Sequence, residues 1–445
     1  MKNIIIFSER ELAIFKSKNY KIKKKYKKKK KHLINKNTII IFSLCAISIF
    51  LFLYFFIFRS NNKLKSEMPI NKEKENYKEH YKENNKDNYK NESIQNNTYI
   101  NYDNFAKKLF NKNKTFSFDY LNEYFYGIKR DYSKFDNIHI LFAFNNEYYL
   151  LASVTITSIL KTANNNSFIH IHIIASKGFE YETMKKLNSL KEKINKNVEF
   201  IFYDGSKAED DFGSHIKKEE YGVGEYAKLL GPVFVDNKVD RIITLDAGDL
   251  LIEKDLLELY NYPLDDYLVR GAIDPLVPCV PTWNPFFVKE GYKNAGVYLY
   301  NLKKWREMDI YNDLVKFYKY LNFTHKVKTA HQDFINCFLP SVSVGLLPIK
   351  YNLQEYIDIN NPNNYYQGSS LYRRSCSYYY GKKDEIIEGA KNIVIWHYTK
   401  SKIYSGRGPS FLTKKWIKYA EMTGFFEEIK QRYPKAFLGK SYYIY

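Results

Sequence analysis

The sequence predicts an α/β domain built on a largely parallel sheet, carried behind an amino-terminal membrane span and a polar stem. Three observations lead there: an uncharged run of 21 residues, a strongly biased polar stretch after it, and, from about residue 136, apolar runs that alternate with segments of helical periodicity. At 445 residues the chain has length for two to three ordinary domains, but its first third lacks the composition of a folded core.

The uncharged run is TIIIFSLCAISIFLFLYFFIF, Thr38 to Phe58, long enough for one helix to cross a bilayer. It is too long for a cleavable signal peptide, and no small-residue cleavage site follows it. KIKKKYKKKKK, Lys21 to Lys31, precedes it. Residues 1–60 hold 15 Lys/Arg and two Glu, so +13 of the formal net charge of +21 sits there and +8 is left for the rest. The excess flanks a membrane segment, which argues for a cytoplasmic amino terminus and against a nucleic-acid partner. The expected order is a basic cytoplasmic tail at 1–37, a transmembrane helix at 38–58, a flexible stem at 59–135 and a folded domain at 136–445 on the far side of the membrane. Stem text such as NKEKENYKEHYKENNKDNYKNES has too little apolar surface to offset its ordering entropy. Cys279, Cys337 and Cys376 allow at most one intrachain bridge beyond the span, and acceptor triplets at Asn91, Asn96, Asn113, Asn165 and Asn322 are compatible with a luminal location.

In the folded part, NIHILFAF (Asn137–Phe144) reads as a buried strand and EYYLLASVTITSILKTA as the helix after it. Strand FIHIHIIAS, helix YETMKKLNSLKEKI, strand VEFIFYD, helix EYAKLLGPVFV and strand RIITLD follow. Such alternation argues for βαβ units, and ligands of parallel sheets bind at the carboxyl ends of the strands. YLVRGAID and AGVYLYN read as further strands, and LKKWREMDIYNDLVKFYKYL as one long helix with Trp305 and Leu314 inward. A polar, Tyr-rich stretch from Ser375 to Glu388 reads as a surface excursion, and NIVIWHYT as a late strand ending in His397.

Asp246 ends the strand RIITLD, and Asp249 follows after Ala247 and Gly248. The pair can cap the turn, with Gly248 supplying a positive φ, or give oxygen ligands to a hard divalent ion. The metal reading gains from His397 at a second strand end, followed by Lys400 and Lys402.

The blocks NIHILFAFNNEYYLLASVTITSIL, EYAKLLGP, RIITLDAGDLLIEKDLLELYN, KNAGVYLYNLKKWRE, HQDFIN, LPIKYNLQ and IVIWHYT, in this order over roughly Asn137 to Thr399, resemble glycosyltransferase family 8. The resemblance implies a GT-A type, Rossmann-like fold and a retaining transfer of a hexose or pentose from a UDP-sugar to a glycan or glycoprotein, with Mn²⁺ or Mg²⁺ bridging the diphosphate. It places uridine contacts on Ala143, Asn145 and Tyr148, and metal ligands on Asp246, on Gly248 or Asp249, and on His397. Donor-sugar contacts fall on Asn294, Ala295 and Gly296, the glutamine near the reacting carbon on Gln332 with the acid Asp333 after it, and the leaving-phosphate lysine on Lys402. It also implies a type II membrane protein of the Golgi or another secretory compartment, and a homodimer is compatible with it. Physically, cleaving a sugar–phosphate bond leaves added negative charge on the nucleotide, which a cation and fixed donors stabilise. The sequence departs from the family pattern in placing the acids three apart rather than two, in Lys228 where relatives carry Arg, in His331 where an aspartate often contacts the sugar, and in KSKIYSGRG after His397. Those departures also fit a catalytically inactive nucleotide- or glycan-binding protein on the same scaffold.

Overall fold

The computed structural model describes Lys107, Phe110 and residues 114–438, apart from 176–178, 214–223, 275–291, 325–329, 340, 355–382, 400–401 and 409. All of these lie in one compact unit, residues 99–445. The basic tail and the apolar run expected to span a membrane fall outside the described residues, as do Cys279 and Cys376. Among the described residues no helix is long and apolar enough to cross a membrane.

The fold is mixed α/β with a mostly parallel central sheet. Strands β1 (Thr115–Ser117), β2 (Asp136–Phe144), β3 (Ser167–Ala175), β4 (Val198–Asp204), β5 (Arg241–Leu245), β7 (Val269–Ile273), β8 (Lys293–Asn301) and β9 (Val344–Leu346) make an eight-stranded sheet in the order β1-β4-β3-β2-β5-β8-β7-β9. Its centre, β4-β3-β2-β5, is parallel throughout. β8 runs antiparallel to both β5 and β7, so the second half departs from the repeated βαβ pattern. A second, three-stranded sheet joins β10 (Leu353–Gln354), β11 (Ile395–His397) and β6 (Leu250–Ile252) in the order β10-β11-β6.

β2 and β3 are near-continuous apolar runs because both faces of the sheet are covered. On one face Ile138, Ile140, Phe142 and Phe144 of β2 pack with helices α1 (Phe118–Tyr126), α2 (Tyr149–Thr162) and α3 (Tyr181–Ile194); on the other, Leu141 and Ala143 join a core that includes Trp305, Leu314 and Phe334. Three histidines interrupt that second face near the start of the strands. His139 Nδ1 lies 2.9 Å from His172 Nε2, whose ring reaches the Tyr203 hydroxyl at 2.9 Å, and His170 stacks on His139 with centroids 4.3 Å apart. Burial holds His139 at a pKa of about 3 and His172 well below the ordinary imidazole value, so both are neutral at pH 7.

Four sequence expectations need correction. The stem reading extends too far, because β1 pairs with β4, and α1 buries Phe118 and Leu121; Ser117 caps α1 and Gly127 ends it at φ 65°. The long helix over 302–321 is two, α4 (Leu302–Glu307) and α5 (Ile310–Thr324), broken where Asp309 takes φ 54°, although Trp305 and Leu314 are buried as expected. The helix read in EYAKLLGPVFV is a chain of short turns, Gly224–Ala227, Lys228–Leu230 and Gly231–Phe234. Finally, Asp384–Glu388, assigned to the surface excursion, lie in the helix Lys383–Lys391, whose Ile386 is fully buried.

Candidate active site

β5 and β8 run side by side with Leu245 opposite Val297, and the Asp246 N–H donates to the Gly296 carbonyl at 3.0 Å. The chain then turns over α2. Gly248 sits at φ 101°, and a Cβ there would stand 2.5 Å from Leu151 Cβ, so both backbone and space require glycine. The end of β11 ties this turn down: Tyr398 donates its hydroxyl to Gly248 O at 2.7 Å and its N–H to Asp249 O at 3.0 Å. With His397 registered on Leu250, ligand atoms of Asp246, Asp249 and His397 all come within 4.8 Å of one another. The turn therefore brings Asp249 alongside Asp246 despite the longer spacing.

Hydrogen bonds fix the histidine tautomer. Asn294 Oδ1 accepts the Gly296 N–H at 2.9 Å, so it must also accept from Asn352 Nδ2, 3.0 Å away. Asn352 Oδ1 is thereby turned to His397 Nδ1 at 2.8 Å and accepts its proton. With its proton held on Nδ1, the ring turns Nε2 toward Asp246 Oδ2, 3.5 Å away, as an acceptor. Two acceptors facing each other at that distance, with a second carboxylate beside them, suit a shared divalent cation, for which oxygen and imidazole are fitting ligands. Gly296 makes room for this ring, since a Cβ there would lie 2.1 Å from His397 Cε1.

Two lysines neutralise the acids. Lys228 Nζ pairs with Asp246 Oδ1, and Lys402 Nζ with Asp249 Oδ2. Burial opposes ionisation of both carboxyls. At Asp246 the Lys228 ammonium outweighs it and holds the group well below the usual carboxylate range; at Asp249 burial, aided by the charge of Asp246, prevails over Lys402 and pushes the group up.

The profile of Glycosyl transferase family 8 matches residues 139–402, more than half of the chain. The chain belongs to glycosyltransferase family 8. A Haemophilus influenzae protein named provisionally as a glycosyltransferase is 27% identical over 203 residues, which are 45% of this chain and 58% of that protein. In fold, the chain is similar to WbbM, described as a bifunctional glycosyltransferase (18% identity, TM-score 0.51, 68% of this chain and 53% of WbbM). An active-site mutant of LgtC is also similar (20% identity, TM-score 0.50, 64% of this chain and 95% of LgtC). The matches thus span little more than half the length of the H. influenzae relative and of WbbM.

Of the other positions that the family 8 pattern singles out, Ala143 and Gly296 lie beside this centre. Continuing the β2–β5 register by two residues sets Ala143 level with Asp246; Asn145, two residues after Ala143, caps a helical turn, with Oδ1 accepting from Glu147 N–H at 3.1 Å, and Tyr148 is half-exposed. Gln332 Oε1 accepts the Ala295 N–H at 2.7 Å while its Nε2 reaches Asp274 Oδ2 at 3.4 Å, an oxygen that Asn294 Nδ2 also reaches at 3.1 Å. Asp333 turns elsewhere, accepting from the Tyr292 hydroxyl at 2.6 Å, and is not among the clustered acids. His331 is buried, and burial together with the Lys228 charge holds its pKa at about 3, so it presents a neutral imidazole. The sequence reading missed Asn352 and Tyr398. Their only signal was the pair Tyr351–Asn352 inside LPIKYNLQ and the Tyr after His397.

Proposed function

We propose that this member of family 8 is a retaining, Mn²⁺- or Mg²⁺-dependent glycosyltransferase that moves a hexose or pentose from a UDP-sugar to a glycan or glycoprotein. The observation that carries the reading is the convergence of Asp246, Asp249 and His397 Nε2, flanked by Lys228 and Lys402, at the carboxyl end of β5. The cation these residues would hold supplies charge stabilisation to the departing diphosphate. Lys228 and Lys402 are within reach of the same charge and exchange their carboxylate partners for phosphate oxygens. The backbone around Ala295 is fixed by Gln332, which orients the sugar pocket rather than leaving its amide free to move. Asn352 holds the His397 ring in the tautomer that can ligate. No second acid pair is required, because a departing phosphate oxygen can take the acceptor's proton.

The apolar run at 38–58 and its basic flank support a type II anchor in the Golgi or another secretory membrane with the enzyme luminal. The test is a donor screen: the purified chain with Mn²⁺ and each of several UDP-sugars, read as UDP release. Release with one sugar, abolished by chelator, is the expected result. Binding of UDP without release from any UDP-sugar would instead support the inactive, nucleotide-binding alternative.

A further inference from the structure

Gln354 lies beside the centre and takes no part in the network just described. It ends β10, which runs parallel to β11 with Gln354 registered on His397, and paired positions of parallel strands project to the same face. Asn352, two residues earlier, shows which face this is, since its amide meets the His397 ring. Gln354 is 1% exposed, yet among the described residues neither Oε1 nor Nε2 has a hydrogen-bond partner. A buried primary amide left wholly unmet destabilises the fold, so its retention beside a ligand centre calls for a ligand.

We propose that Gln354 is a substrate-contacting residue that binds vicinal hydroxyls of a sugar ring, a role that rests on the glycosyltransferase reading above. The pattern of unmet atoms selects the ligand. A phosphate offers acceptors only and would leave Oε1 unmet; a cation takes an oxygen and would leave Nε2 unmet. A pair of sugar hydroxyls both donates and accepts, and satisfies both ends of the amide. Its position at the carboxyl end of β10, one strand from His397, puts that ring on the ligand edge of the sheet, about 5 Å from the histidine backbone.

The ring can belong to the donor or to the acceptor. The test uses Gln354→Met in the full chain, which keeps the volume and removes the amide. Titrations with UDP, UDP-glucose, UDP-galactose and UDP-xylose are combined with transfer to a panel of methyl glycosides and hydrolysis of the best donor by water. UDP affinity stays within about twofold in either case. If the ring is the donor's, affinity for the preferred UDP-sugar falls about tenfold. If it is the acceptor's, donor affinity and hydrolysis hold and transfer falls about tenfold. In both cases the free variant melts a few degrees higher, because an unmet amide is gone. The inference is overturned if UDP affinity falls as much as UDP-sugar affinity or if neither sugar readout moves. Should Gln354→Met fail to fold, Gln354→Asn, which withdraws the amide by one methylene, is read by the same sugar measurements. Wild-type protein that binds no UDP would sink the underlying enzyme reading instead.

Discussion

The contact between Gly296 and His397 gives the most specific prediction. In Gly296→Ala the new Cβ would stand 2.1 Å from His397 Cε1 and 2.5 Å from its Nδ1. A comfortable contact between such atoms is about 3.5 Å, so the ring must retreat by about 1.4 Å. Metal bonds tolerate errors of about 0.2 Å, so a shift of that size removes His397 from the coordination set. Losing a ligand should cost at least as much as losing a residue that orients one, about 100-fold in affinity, or about 2.7 kcal/mol. Overpacking adds about 1–3 kcal/mol of destabilisation, which leaves a domain of this size folded at 25 °C. Calorimetric titration of Mn²⁺ with UDP, together with a thermal melt, reads both effects. Gly345→Ala is the control, because its Cβ meets Arg270 and Tyr267 at 2.8–2.9 Å on the far edge of the main sheet. It should lose comparable stability and no binding. Wild-type affinity in folded Gly296→Ala would refute the role given to His397.

Other outcomes follow from the same network. Asn352→Leu removes the acceptor that fixes the His397 tautomer, and Mn²⁺-dependent UDP affinity should fall about 10- to 100-fold in titrations. Lys402→Met strips Asp249 of its counter-charge: in chelator the variant should melt below wild type, and added Mn²⁺ should close the gap by binding only the folded form. A loss that Mn²⁺ leaves in place would remove Asp249 from the ligand set. Acid should destabilise the domain through its buried histidines. Their folded pKa values are depressed, so below about pH 6.5 the unfolded chain binds more protons, and stability is complete above that value and lost as pH falls. For His139, with a pKa moved from 6.5 to about 3, the loss at pH 5 is about 2 kcal/mol. Urea midpoints at pH 7.5 and 5 check it, and His139→Gln should flatten the dependence.

The parallel centre of the sheet and the strand end bearing Asp246 were legible in the sequence because both are local: buried strands are apolar runs, and a carboxylate at a strand's carboxyl end marks a ligand edge. What the sequence left undecided depends on contacts between distant segments. Whether Asp249 reaches the centre is decided by Tyr398, 150 residues away from Gly248, tying down the turn. Asn352 acts on His397 across 45 residues and on Asn294 across 58, and an asparagine after an apolar run looks alike whether it caps a turn or holds a ligand. The same holds for β1, three residues in a polar stretch, whose strand exists only because β4 offers an edge. The break at Asp309 escaped because Met-Asp-Ile carries no helix-breaking residue.

Asp246, Asp249 and His397 are proposed to hold a divalent cation for a nucleotide diphosphate. Titration of Mn²⁺ into the full chain purified in detergent, with UDP present and unbound Mn²⁺ read by electron paramagnetic resonance, tests it most directly. One bound Mn²⁺ per wild-type chain is expected and none for Asp246→Asn, with the variant's stability lowered by no more than about 1 kcal/mol. Equal Mn²⁺ binding by folded Asp246→Asn would contradict it.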